Sequence, residues 1–211
     1  MRKILTAVAV CLLCYSATFA QKMKGKTFLG FTAGCNLSTF RTAVDYTDFD
    51  QRIRAGFSLG AFVEIPVSSR FKIQPEFLYS QMGANAKVVG DEYRFKYNYF
   101  SVPLIVKYKI AKQISILAGP QADFLFRARV KDFAKTQSVT YKLKHDYDLG
   151  FTAGAEAELS KKFSAMARYI HGIRDVSPTV DENTFYNQGF QLSIGYKLHA
   201  KPKKTKTKKT K

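Results

Sequence analysis

The sequence predicts an all-β protein: an eight-stranded, up-and-down antiparallel barrel with short turns at one end and longer loops at the other. Three observations predict it. Apolar and polar residues alternate with period 2 through eight stretches, no convincing helical periodicity follows the amino-terminal segment, and the connections alternate between short and long. Period-2 alternation places unlike residues on the two faces of a strand.

The chain opens with Arg2 and Lys3, then an uncharged apolar run from Ile4 to Tyr15, then Ser16-Ala17-Thr18-Phe19-Ala20 before Gln21. This is the charged, apolar, small-residue order of a cleaved secretory signal peptide covering residues 1–20. The run is short for a membrane-spanning helix, which needs about 20 residues. Cys11 and Cys14 follow Val10 and Leu13 rather than a small residue, so lipoprotein processing is not expected. Both thiols leave with the signal. Cys35 then remains alone and cannot form an internal disulfide.

The strands follow in order. Leu29, Phe31, Ala33, Cys35 and Leu37 alternate with Gly30, Thr32, Gly34, Asn36 and Ser38. The second spans 56–65, with Phe57, Leu59, Ala61, Val63 and Ile65 on one face. The third, 71–80, presents Phe71, Ile73, Pro75, Phe77 and Tyr79. The fourth, 100–108, presents Phe100, Val102, Leu104, Val106 and Tyr108, and the fifth, 114–124, presents Ile114, Ile116, Ala118, Ala122 and Phe124. The sixth, 148–159, alternates Leu149, Phe151, Ala153, Ala155, Ala157 and Leu159 with Asp148, Gly150, Thr152, Gly154, Glu156 and Glu158. The seventh, 163–169, and eighth, 190–198, repeat the pattern. The expected short links are 66–70, 109–112 and 160–161. The expected long ones are 40–54, 83–92, 127–138 and 172–182. Even strand number with links of alternating length is the mark of an outer-membrane barrel, with periplasmic turns and extracellular loops.

Which face is outermost follows from side-chain size and charge. Over 211 residues the chain carries 34 basic and 16 acidic side chains, but two bases lie in the first twenty residues and seven lysines in the last eleven. Residues 21–200 hold 25 basic and 16 acidic groups, a balance of +9. At 46% hydrophobic and 14% aromatic, this is a folding chain. A water-soluble barrel would line its exterior with charge. Here the polar face is mostly Gly, Ser, Thr, Asn and Gln, which suits a narrow lumen, while the other carries Phe, Tyr, Leu and Ile. Tyr79, Tyr108, Tyr169 and Tyr196 stand near strand ends on the apolar face, as an interfacial girdle requires. The expectation is therefore a transmembrane β-barrel over residues 21–199, in the outer membrane of a Gram-negative cell, in contact with its lipids and lipopolysaccharide.

Three stretches resemble the PorT-like outer-membrane β-barrel proteins. Tyr99-Phe100-Ser101-Val102-Pro103 resembles that family's Tyr-Leu-Glu-Ile-Pro strand, with Ser101 in place of the usual acid. Ala118-Gly119-Pro120 resembles its Ala-Gly-Pro strand. Asp148-Leu149-Gly150 through Gly154, with Ala167-Arg168-Tyr169 and Gly172, resembles its late hairpin. The likeness spans residues 27–198. It implies an eight-stranded outer-membrane barrel and little chemistry. One branch of the family is linked to type IX protein secretion.

The inward parity carries Glu64, Lys72, Glu76, Lys107, Asp123, Asp148, Glu156, Glu158, Arg168 and Lys197. Unpaired charge is costly in a narrow lumen, so an ion-pair network that plugs the barrel is expected. Arg168, with its planar fork, is the expected hub, reaching Glu156 or Glu76. A small-solute channel is the alternative. No cofactor or metal is expected. Neither a Gly-x-Ser-x-Gly elbow nor a His-x-x-x-His pair occurs, and His145, His171, Ser138 and Ser177 are rim or loop residues, so no enzyme is expected. Arg127, Arg129, Lys131 and Lys135 are expected in a long loop, where they could meet lipopolysaccharide phosphates.

The last strand ends at Leu198, where the barrel-insertion machinery commonly reads an aromatic residue, and residues 200–211 form a lysine-rich tail. The tail is expected to be disordered and periplasmic. Its Lys201, Lys203, Lys204, Lys206, Lys208, Lys209 and Lys211 suit anionic lipid heads or cell-wall acids rather than nucleic acid, since the chain is expected to be exported.

Overall fold

Eleven strands form in the computed structural model, which describes residues 26–42, 49–88, 91–132, 138–140, 143, 145–177 and 184–198. The expected signal peptide and the lysine tail, Lys201 to Lys211, lie outside the described residues. The strands are β1 (Phe28–Thr42), β2 (Phe49–Arg52), β3 (Arg54–Pro66), β4 (Phe71–Met82), β5 (Asn85–Val88), β6 (Asp91–Lys109), β7 (Ile114–Asp132), β8 (Ser138–Thr140), β9 (Tyr147–Glu158), β10 (Phe163–Gly172) and β11 (Phe185–Lys197). Among the described residues there is no helix.

Eight of these strands close a ring. β1, β3, β4, β6, β7, β9, β10 and β11 each pair antiparallel with the next, and β11 pairs back onto β1 with Gly30 opposite Lys197 and Thr42 opposite Phe185. Closure leaves the wall without a free edge, the condition for backbone to cross lipid. Residues 67–70 and 159–162 turn by the same local chemistry. The Ser68 and Ser160 hydroxyls accept hydrogen bonds from the Phe71 and Phe163 amides, both at 3.0 Å. The first and last strands begin and end beside these short turns.

Side chains are arranged inside out relative to a soluble barrel. Phe31, Leu59, Phe151 and Phe190 are 52%, 56%, 59% and 59% exposed, whereas the inward Gln74, Glu64 and Glu76 are each 1% exposed. Aromatic pairs mark both ends of the apolar wall. Phe71 packs on Tyr108 and Phe163 on Tyr196 near the short turns. Phe57 packs on Tyr79 and Tyr169 on Phe190 toward the long loops. Inside, Phe62 fills the space beside Gly30, where any Cβ would meet its ring. Gly83 takes φ +134° as the chain leaves β4, a conformation that side chains resist.

The expected loops are shorter than alternation implied. β6 and β7 run for 19 residues each, so Arg127, Arg129 and Lys131 belong to a strand rather than a loop. β2 and β5 occupy parts of the expected 40–54 and 83–92 loops, and Ser138 begins β8. For β7 the cause is a β-bulge. Register passes from Asn98 opposite Arg127 to Tyr99 opposite Leu125, leaving Phe126 as the extra residue and reversing the parity of β7 beyond it. A periodicity that changes phase looks in sequence like a strand that stops.

Candidate functional site

All ten charged residues of the inward parity lie inside the ring, and they sort into levels along its axis. At the short-turn end, three lysines meet three glutamates. Glu64 accepts from Lys72 and Lys197 at 3.1 and 3.0 Å through Oε1, and from Lys107 at 3.4 Å through Oε2. Lys107 also pairs with Glu156, while Glu158 accepts from Lys72 at 2.9 Å and Lys197 at 3.4 Å. Lys109 approaches Glu158 at 4.0 Å. Because β3, β4, β6, β9 and β11 all contribute, this cluster ties together strands on opposite sides of the ring.

Arg168 sits farther along. Its Nη1 is 2.9 Å from Glu76 Oε2, and its Nε donates to Gln191 Oε1 at 2.6 Å. Gln191 Nε2 passes the chain on to Asn36 Oδ1 at 2.7 Å, and Asn36 Nδ2 donates to Ser80 Oγ at 2.9 Å. Arg168 therefore reaches Glu76 but not Glu156, whose partner is Lys107. Glu64 and Glu158 each make three ion pairs, whereas Arg168 makes one. The reason is reach. Flexible lysine stems from three strands converge on one carboxylate, whereas the guanidinium fork is spent on a single carboxylate and an amide.

Next come two aspartates. Asp123 and Asp148 are register partners on β7 and β9, both buried. Gln121 Nε2 donates to both oxygens of Asp123 at 3.0 and 2.9 Å. Asn187 Nδ2 donates to Asp148 Oδ2 at 2.9 Å and to the Tyr99 hydroxyl at 3.0 Å.

The long-loop end of the lumen is apolar, which sequence reasoning missed. Phe40, Met82, Tyr97, Tyr99, Ile170 and Phe185 form a buried cluster there, with Phe40 stacked on Phe185 at 5.5 Å between ring centroids. Ile105, Leu117 and Met166 make a smaller apolar contact inside the ring. The available signal was Met82 and Ile170 for the long-loop end, and Ile105, Leu117 and Met166 for the smaller contact, all on the nominally polar parity. A hollow of about 600 Å³ lies on the outer wall rather than in the lumen, lined by residues including Ala33, Ala155, Ala157, Ala165, Ala167 and Leu192.

At the rim, His171 lies 2.7 Å from Arg41 Nη1 through Nε2. His145 Nδ1 is 3.2 Å from the Asp175 carbonyl oxygen, and the Ser177 hydroxyl donates to the Asp175 carboxylate. Neither histidine reaches a serine hydroxyl in these contacts. Among the described residues, no three His, Cys, Asp or Glu side chains form a group suited to a metal ion.

The sequence matches a family model, that of the outer membrane protein beta-barrel domain, over residues 19–178. The chain belongs to that family. Its barrel is accordingly an integral outer-membrane structure of Gram-negative type. The structure is similar to that of the attachment invasion locus protein Ail of Yersinia pestis in complex with the heparin analogue sucrose octasulfate, with a TM-score of 0.50 and 18% identity over 82% of this chain and 100% of Ail. Ail of Yersinia pestis is also similar in a second structure, with a TM-score of 0.48 and 14% identity, covering 82% of this chain and 100% of Ail. Neisserial surface protein A matches with a TM-score of 0.47 and 10% identity, covering 82% of this chain and 96% of its own. No curated protein matches the sequence significantly.

Proposed function

We propose that this outer-membrane barrel is a plugged, non-conducting member of the PorT-like group, with a structural or binding role at the cell envelope and no catalytic one. The observation that carries the reading is the filling of the lumen at both ends: ion pairs around Glu64 beside the short turns, and the Phe40–Tyr97–Phe185 cluster beside the long loops. Eight strands leave an interior that side chains can fill. An ion crossing it would have to part three lysine–glutamate contacts and then an aromatic layer.

The PorT-like assignment is supported by the stretches around Pro103, Gly119 and Arg168, and a place in protein secretion rests on those stretches alone. The partners expected of such a barrel are outer-membrane lipids and lipopolysaccharide, the machinery that inserts it, and cell-wall or secretion components. The non-catalytic reading is supported by the rim, where Arg41 engages His171 and Asp175 engages Ser177.

Planar-bilayer recording of the refolded mature protein tests the plug. Insertion without steady conductance steps is expected, and reproducible open steps would favour the channel alternative instead. An assay of the same preparation for lipid hydrolysis, with His171→Ala as control, tests the absence of catalysis.

A further inference from the structure

The outer wall changes character abruptly at one place. Phe124 and Phe126 of β7 face outward beside Phe100 of β6, and the Tyr79 ring packs against Phe57 and Phe126 at 5.3 and 5.6 Å between centroids. Immediately beyond, β6 and β7 continue as a ribbon whose outward positions are mostly basic. Arg127 lies opposite Asn98, Arg129 opposite Lys96, and Lys131 opposite Arg94.

The bulge at Phe126 creates this face. By reversing the parity of β7 it turns Ala128 and Val130 inward, where both are buried, and brings Arg127, Arg129 and Lys131 to the exposed surface. Without it these three cations would point into the apolar end of the lumen. Like charges set directly opposite one another on a sheet face repel and cost stability. Among the described residues, no ion pair involves Lys96, Arg127 or Arg129. On the flank, Glu92 is an exposed acid, and it lies opposite Lys87.

We propose that this basic face binds the phosphates of a phosphorylated glycolipid in the outer leaflet, with Lys96, Arg127 and Arg129 at its centre. The inference rests on lipid as a partner of the barrel and names the headgroup chemistry and the residues. Position favours a lipid over a free polyanion. The cations continue the column of wall residues that faces hydrocarbon lower down. Arg127 stands one residue, about 3.3 Å along the strand, past Phe126, and Arg129 about 7 Å farther. A lipid could thus lay its acyl chains on Phe124 and Phe126 while its phosphates meet the arginine forks, which bind such oxygens in pairs.

The test is native mass spectrometry and titration of the folded, full mature barrel in neutral detergent. Three probes are used: bisphosphorylated lipid A, dephosphorylated lipid A, and soluble sucrose octasulfate. Wild type should retain the bisphosphorylated lipid and lose it on phosphate removal. The double variant Lys96→Ser/Arg129→Ser should bind roughly twenty-five-fold more weakly, at about fivefold for each surface cation removed. Lys161→Ser/Lys162→Ser, at a short turn on the opposite end, should bind as wild type does. All three are first checked for heat-modifiable migration, and Arg127→Ser serves as the second probe should the double variant not fold. Equal retention by wild type and the Lys96/Arg129 variant overturns the site. Equal binding of dephosphorylated lipid A, or displacement of lipid by sucrose octasulfate at matched concentration, overturns the lipid-phosphate assignment. None of these outcomes depends on whether the lumen conducts.

Discussion

Arg168 on β10 and Glu76 on β4 meet across the closed lumen with Nη1 and Oε2 2.9 Å apart, and both side chains are almost wholly shielded from solvent. Neither strand is hydrogen-bonded to the other. The pair is therefore a strut across the ring rather than a neighbour contact along the wall. Removing one charge leaves the other buried without its partner, at a cost of about 3–5 kcal/mol, whereas replacing both with apolar groups of similar volume is far less harmful. Arg168→Ala should markedly lower the temperature at which the folded band converts to the unfolded one in electrophoresis. Arg168→Met/Glu76→Leu should recover much of that loss. An unchanged conversion temperature in Arg168→Ala would remove the strut from the account.

Glu64 makes as many ion pairs as Glu158 but is far more deeply buried, so its loss should weigh differently. Glu64→Gln leaves Lys72, Lys107 and Lys197 sharing only Glu156 and Glu158, with an excess positive charge in a closed space. Glu158 has a quarter of its side chain exposed, and solvent screening weakens pairs made there. Conversion temperature should therefore fall more for Glu64→Gln than for Glu158→Gln. Raising ionic strength should reduce the effect of the second substitution more than that of the first.

The aromatic end of the lumen should behave as a packed core. Phe185 is buried and stacks on Phe40. Phe185→Ala removes most of a ring from a site that cannot fully collapse, which costs about 3–5 kcal/mol in well-packed interiors. The measurement is again thermal conversion, coupled to bilayer recording. A fall in stability together with the first appearance of conductance would assign this cluster to the seal. A barrel that unfolds earlier yet stays silent would assign the seal to the Glu64 cluster.

The lipid face makes an opposite prediction. Phe77 is half-exposed and stacks on Phe100 in the wall. Phe77→Arg should cost about 2–4 kcal/mol if the position lies near the bilayer midplane. Folding into lipid vesicles, followed by urea titration, would read this directly. In a water-soluble barrel the same substitution on an exposed position would be nearly silent, so the result separates the two kinds of barrel.

Much of the fold was legible because alternation survives in a strand whose two faces meet different solvents. Leu29 to Ser38 and Leu149 to Leu159 declare both their secondary structure and which side chains share a face. The inward set from Glu64 to Lys197 follows from the same parity, since every residue in it sits two, four or more even steps from a small polar neighbour. What parity could not supply was height. Glu156 and Glu76 are equally inward, yet only Glu76 meets Arg168, because strand tilt and stagger decide which inward residues share a level. Parity also fails where its phase slips. The bulge at Phe126 hid the extension of β7, whereas β6 keeps its parity and exchanges the chemistry of its faces, with Tyr97 and Tyr99 inward and Arg94 and Lys96 outward.

The sequence by itself thus determined an exported chain, a closed antiparallel sheet, and a greasy exterior around a charged interior, because each is a property of consecutive residues. Only the tertiary structure decided that Glu64 gathers more ion pairs than Arg168, that one end of the bore is apolar, and that Lys96 lies opposite Arg129. Those are relations between strands. They depend on stagger around a ring and on one extra residue in β7, and no local pattern of side chains records either.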